Sequence, residues 1–377
     1  MPRTSKSAWH LITLTMPSSE AIIQQRDQFV ERLLKSAAGV FDIFSIYLGD
    51  QLGFYRALAD QGALTSAELA SRAQTNERYT REWLEQQTVA GILQVQDESL
   101  AAHERRFSLP LGHVEPLLDQ DSGNYLAPLA QLIVGATRPM DELLNAYRNG
   151  GGVPYSAYGA NLREGQAGIN RPAFLADLPQ IWIPAMPDVH ERLQASDARI
   201  ADFGCGFGWS SVGMARAYPH ARVDGFDLDA PSIERAREIA REYDMSERAV
   251  FHVQDAADAE MMGQYDLVTA FECVHDMANP VGALQTMKRL AGERGAVLIV
   301  DERVGDTFTA TGNDVEGMMY GWSILHCLPV GMADQRSVET GTVMRADTLK
   351  KYARAAGFRD VEILPVENFF FRLYRLR

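Results

Sequence analysis

The 377-residue sequence is short of cysteine, of positive charge and of long apolar runs, and each shortage closes off a class of protein. The three cysteines, Cys205, Cys273 and Cys327, lie far apart and form no C-x-x-C pair. That excludes a disulfide scaffold and a cysteine-based zinc site, and it points to a reducing, cytoplasmic compartment. Lys+Arg number 36 against Asp+Glu 50, a net charge of −14, with no basic stripe anywhere. Nucleic acid is therefore not an expected partner. The longest apolar runs, such as 296–300, fall far below the roughly 20 residues a membrane span needs, so no membrane association is expected. What is present is ordinary for a folded chain: 46% hydrophobic and 23% charged residues. The length suits two domains.

Residues 1–15 carry Arg3 and Lys6 ahead of an apolar patch too brief for a signal peptide, with no small-residue cleavage site after it. Residues 1–18 are expected to be a flexible tail, and Met16 is the more natural start. Ser19 should cap a helix with Glu20 in its first turn. Phe29, Leu33, Leu34, Val40, Phe41, Phe44 and Leu48 then recur at helical spacing. Thr65 followed by Glu68 reads as a capping box, and a further helix should run from Glu77 to Ala90. Short β runs at 92–95 and 106–109 complete a winged helix over 19–110. A DNA-reading helix needs cations, yet 77–90 sets Arg78 and Arg81 against Glu77, Glu82 and Glu85. A dimerisation or packing role is the better expectation. Residues 111–196 continue as helices at 125–134, 140–147 and 174–193, a linker interrupted by the run from Gly150 to Pro154. That run, with Tyr155, Tyr158 and Gly159, either lines a pocket or merely connects.

From Arg199 the period changes. Strand-like and helix-like segments alternate to the C-terminus, which requires a mostly parallel sheet flanked by helices. Ligands of such sheets bind beyond the carboxyl ends of the strands. The first strand–helix turn is Asp202-Phe-Gly204-Cys-Gly206-Phe-Gly208, and the second strand ends in Asp227, where a carboxylate can take both ribose hydroxyls of a nucleoside. Asp229 reads as a helix cap. Trp209 occupies the place of the third glycine in a dinucleotide fingerprint, which disfavours a nicotinamide cofactor.

The pattern D-x-G-x-G-x-G, with acids ending strands two and three (Asp227, Asp255), resembles class I S-adenosylmethionine-dependent methyltransferases over residues 197–377. The resemblance implies a Rossmann-like sheet with an antiparallel closing hairpin. It also implies S-adenosylmethionine as cofactor, S-adenosylhomocysteine as product and no metal. Gly204, Gly206 and Gly208 would back the methionine part and ribose, Asp227 and Leu228 the ribose, and Asp255 and Ala256 the adenine edge. Asp202 and Phe271 complete the expected set. The loop Phe271-Glu-Cys-Val-His275-Asp276 resembles that of small-molecule O-methyltransferases, whose base sits there, and Asp276 is a catalytic candidate that helps His275 if its carboxylate reaches the imidazole. A neutral imidazole can take the proton of a hydroxyl as it attacks. Otherwise His275 caps a helix or fills the cleft wall. Glu302, at the end of strand five beside Asp301, matches the acid that orients the histidine in those enzymes. A second acid they carry before the late helix is missing at 341–345. The apolar stretch 318–331 falls where they put the acceptor-pocket cover; within it His326 is either a second polar contact or a packed core histidine. The resemblance implies a small, largely apolar acceptor and a homodimer formed through residues 19–60. Transfer to nitrogen, sulfur or carbon, and a cofactor-sensing winged-helix regulator, remain alternatives.

Overall fold

The computed structural model describes residues 18–377 except Ser196 and Ala259. The expected tail and the Met16 start therefore fall, up to residue 17, outside the described residues. Helix α1 (Ser19–Gln51) is capped by Ser18, not Ser19: the Ser18 hydroxyl accepts the Ala21 N–H at 3.2 Å. Then follow α2 (Phe54–Gln61), α3 (Ser66–Ala73), α4 (Glu77–Val89) and the ribbon of β1 (Gln94–Val95) with β2 (Phe107–Ser108). The capping box forms, Thr65 Oγ1 accepting from Glu68 N and Glu68 Oε2 accepting from Thr65 N at 2.8 Å. Phe54, Leu58, Leu69, Trp83, Leu84 and Phe107 fill the core of this winged helix.

The linker comprises α5 (Leu111–Leu118), α6 (Ala127–Ala136), α7 (Met140–Asn149), a 3-10 turn (Tyr155–Tyr158), α8 (Gly159–Leu175), a π-helical turn (Leu178–Trp182) and α9 (Pro187–Leu193). Helix α8 was not expected, and the helix expected over 174–193 is broken up. Gly159, Gly165 and Gly168 weaken the local helical signal. Packing restores it, because α6 and α8 touch backbone to backbone: a Cβ on Gly165 would lie 2.4 Å from Leu132 N, and one on Gly135 2.4 Å from Leu162 N.

The second half contains β3 (Arg199–Phe203), α10 (Trp209–Ala217), β4 (Arg222–Asp227), α11 (Ala230–Glu242), β5 (Ala249–Val253), β6 (Leu267–Phe271), α12 (Pro280–Ala291), β7 (Ala296–Glu302), α13 (Asp314–Trp322), α14 (Leu328–Gly331), α15 (Ala346–Ala355), β8 (Val361–Ile363) and β9 (Phe371–Leu376). The sheet order is β5-β4-β3-β6-β7-β9-β8. The first five strands are parallel, and β9 runs antiparallel to both neighbours, from Val297 opposite Leu376 to Glu302 opposite Phe371. This is the expected class, closing hairpin included. Alternate strand residues feed two cores. Ile200, Val223, Leu267 and Leu298 pack with Trp182 and Phe174 of the linker, and Ala201, Phe203, Val268 and Val297 with Leu284, Met287 and Leu349. Among the described residues no helix is long and apolar enough to cross a membrane.

Candidate active site

The order reverses between β3 and β6, so the crevice opens beyond the ends of β3, β4, β6 and β7. Gly204 turns the chain there with φ +65°, and a Cβ would stand 2.7 Å from Cys273 Sγ. Gly206, at φ +51°, faces open space and donates its N–H to Asp227 Oδ2 at 2.9 Å. Gly208 begins α10. A backbone without side chains beside a carboxylate suits a nucleoside with its ribose against Asp227. The other Asp227 oxygen accepts the Asp229 N–H at 2.9 Å, and burial raises its carboxyl above the usual range.

Asp202 belongs to the brace beneath this loop. It is fully buried and accepts from Ser210 and Ser211 at 2.6 and 2.7 Å and from Thr269 at 2.8 Å, so its oxygens tie β3 to α10 and β6. Phe271 points away from the crevice, into the core against Phe174 and Trp182, at centroid distances of 5.4 and 6.2 Å. Leu228 and Asp255 are exposed at the rim, Asp255 accepting the Ala257 N–H at 2.8 Å, and Ala256 packs against the sheet. Asp229 caps α11 as expected. It also receives a bidentate contact from Arg163 of α8 at 2.6 and 2.7 Å, with the Tyr155 ring 5.4 Å from that guanidinium. The linker is thereby fastened to the rim of the crevice.

His275 lies in the loop after β6, buried, with Nδ1 2.9 Å from Asp301 Oδ1. Glu302 Oε2 is 3.3 Å from the same nitrogen, without hydrogen-bond geometry. Neighbours in a strand normally face opposite ways. Here β7 ends, and Asp301 Oδ1 accepts the Glu302 N–H at 3.1 Å, which folds both acids onto one imidazole. Burial opposes the imidazolium, but Asp301 and Glu302 outweigh it and hold the His275 proton well above its usual range. Within that cluster burial would raise Asp301, yet His275 keeps it low, whereas burial pushes Glu302 up. Asp276, expected as a partner of His275, makes no hydrogen bond to it; burial raises its carboxyl to about 7. Sequence neighbours on a turn diverge, and Asp301, not Asp276, is the shorter partner. Met344, in the 341–345 stretch that lacks an acid, is core.

Two residues here went unsingled from sequence. Glu272 takes a left-handed φ of +51° that only a structure reveals, and burial lifts it to about 8. Cys327 lies beside both His275 and His326; burial raises the thiol, but the two imidazoles outweigh it and bring it down to about 5. Tyr155 and Tyr158 do meet His326, at 5.7 and 4.7 Å. The loop that carries them docks on the 318–331 stretch, Val153 N donating to Pro329 O at 2.9 Å and Tyr158 OH to Leu325 O at 2.8 Å. A cavity of about 380 Å³ between α6 and α8 is lined by Val134, Arg138, Tyr158 and Asn161, and neither His275 nor Asp227 lines it.

His275, Asp301 and Glu302 also offer three ligating atoms within 4.8 Å of one another. The 2.9 Å Nδ1–Oδ1 separation is that of a hydrogen bond.

A family described as "Methyltransferase domain" matches residues 194–342, and one described as "Rv2258c-like winged HTH domain" matches 43–118. A ubiquinone biosynthesis O-methyltransferase of Aromatoleum aromaticum is 29% identical over 170 residues, 44% of this chain and 66% of that protein. A probable tocopherol O-methyltransferase of Oryza sativa is 28% identical over 164 residues, 41% of this chain and 44% of that protein. The chain thus spans two thirds or less of these relatives. Among solved structures, the mitomycin 7-O-methyltransferase MmcR superposes with a TM-score of 0.67 at 18% identity, covering 95% of this chain and 99% of that one. Human N-acetylserotonin methyltransferase, in complex with S-adenosylmethionine, gives 0.64 at 18%, covering 96% and 99%. These structures share the fold over 95% and 96% of this chain.

Proposed function

We propose that this chain, an S-adenosylmethionine-dependent methyltransferase preceded by a winged-helix domain, methylates a hydroxyl of a small, largely apolar acceptor with His275 as general base. The observation that carries this is the His275–Asp301 contact of 2.9 Å, at the strand-end rim shared with Gly206 and Asp227. S-adenosylmethionine, when bound, supplies a methyl group already activated on a sulfonium. The acceptor hydroxyl lacks nucleophilicity, and the chain's own residues address that. With Nδ1 engaged by Asp301, the neutral ring has Nε2 to take the hydroxyl proton, and the two carboxylates stabilise the imidazolium that results. Asp227, Gly204, Gly206 and Gly208 hold the nucleoside, with Asp255 and Ala256 near the adenine, and Tyr155 and Arg163 close the rim. Domain limits of 19–110, 111–196 and 197–377 suit these roles.

A second copy of the chain is the expected partner. From Ser19 to Phe41 every residue of α1 is exposed, Phe29 at 56%, Leu34 at 68% and Phe41 at 64%. Helices owe most of their stability to packing, and a bare apolar face of this length calls for a cover. Against DNA, Arg78 is paired with Glu82 at 2.5 Å and Arg81 with Glu77 at 3.4 Å within α4. Three free cysteines, Cys205, Cys273 and Cys327, support a reducing, cytoplasmic compartment.

His275→Ala should lower the methylation rate by about 10²–10⁴-fold with unchanged S-adenosylhomocysteine affinity by calorimetry. An unchanged rate would remove the base and favour nitrogen, sulfur or carbon as the acceptor atom, with His275 merely positioning it.

A further inference from the structure

The base and the cofactor cradle leave the buried His326 unexplained. His326 sits on a π-helical turn (Ser323–Cys327) between α13 and α14, only 9% exposed. Such turns often mark functional sites. Its Nδ1 lies 3.4 Å from Cys327 Sγ, while its Nε2 is buried with no hydrogen-bond partner among the described residues. An unmade bond at a buried nitrogen is unfavourable, which a histidine serving only as core filling would avoid. The position is also near the chemistry, because the Cys327 thiol adjoins both His326 and the base His275.

The contact with Cys327 occupies Nδ1, so a bond to a ligand has to be made at Nε2, which carries the ring hydrogen in the tautomer whose Nδ1 accepts the thiol hydrogen. Tyr155 and Tyr158 wall the ring, and their hydroxyls do not reach it; that of Tyr158 is committed to Leu325 O.

We propose that His326 Nε2–H donates a hydrogen bond to an oxygen of the acceptor other than the one methylated, so that the acceptor carries a carbonyl, carboxylate or second hydroxyl beside its reacting group. This rests on reading the cleft at His275 as the acceptor site, and it makes His326 a specificity-determining residue. A purely hydrocarbon phenol leaves Nε2 unpaired and is discriminated against for that reason.

The test is calorimetry on the full chain saturated with S-adenosylhomocysteine, titrated with ortho-, meta- and para-hydroxyacetophenone and with the matching ethylphenols. No methyl is transferred in that complex, so failure of His275 as a base leaves the result unaffected. One carbonyl position should bind at least about tenfold tighter than its ethyl partner. That gain should vanish in His326→Phe and partly survive in His326→Gln, which keeps an N–H donor, with S-adenosylhomocysteine affinity unchanged in both as proof of folding. No gain at any ring position, or a gain that persists in His326→Phe, overturns the proposal. A wild-type protein that fails to bind S-adenosylhomocysteine overturns the reading beneath it as well.

Discussion

At the scale of single residues, the site is governed by who neighbours His275. Asp301 and Glu302 raise its pKa, so the neutral ring needed to accept a proton is scarce at acid pH and grows as pH rises through the folded-state value. The acidic limb of kcat/KM should therefore lie above the ordinary histidine value of about 6.5. Asp301→Asn removes one of the raising charges, so the limb should move toward lower pH. The plateau rate should also fall by about tenfold or more as the imidazolium loses its partner. A pH–rate profile of the two proteins checks both, and an unmoved limb would separate Asp301 from the base. His275 and Glu302 could be found from sequence because their motifs sit at strand ends. Asp301 and Asp276 could not be sorted, since side-chain direction on a turn is set by φ and ψ that a sequence does not state. Cys327 and Glu272 were invisible for the same reason, one depending on a π turn and the other on a left-handed residue.

At the scale of elements, the linker decides whether the cleft is roofed. Helices α6 and α8 meet at Gly135 and Gly165, where no side chain fits. Gly165→Leu should destabilise the protein by about 1–3 kcal/mol or more, read as a melting temperature several degrees lower; an unchanged melting curve would deny the close contact. Arg163 fastens α8 to Asp229 at the rim of the crevice proposed for the cofactor. Replacing it by Met leaves Asp229 buried with only its cap, so S-adenosylhomocysteine should bind several-fold more weakly in calorimetry. The strands and the closing hairpin were legible because their apolar runs are continuous and their turns carry glycine or acids. Helix α8 was not, because its glycines look like a loop until the backbone of α6 is set against them. Phe271 shows the same limit: its place at the end of β6 was foreseeable, but its ring turns into the core.

At the scale of the whole molecule, the shortage of positive charge keeps its meaning. In α4 of the winged helix Arg78 and Arg81 are paired with Glu82 and Glu77, and α1 exposes the apolar face proposed for a second copy. Light scattering should give twice the chain mass, and Leu34→Glu with Phe41→Glu should give the mass of one chain. A monomeric wild type at micromolar concentration would contradict the dimer. The methyltransferase reading itself is tested most directly by titrating S-adenosylhomocysteine into the wild type and into Asp227→Ala. The account predicts saturable binding by the wild type, weakened by about tenfold or more in the variant. No binding by the wild type at millimolar ligand, or equal affinity in the two proteins, would contradict it.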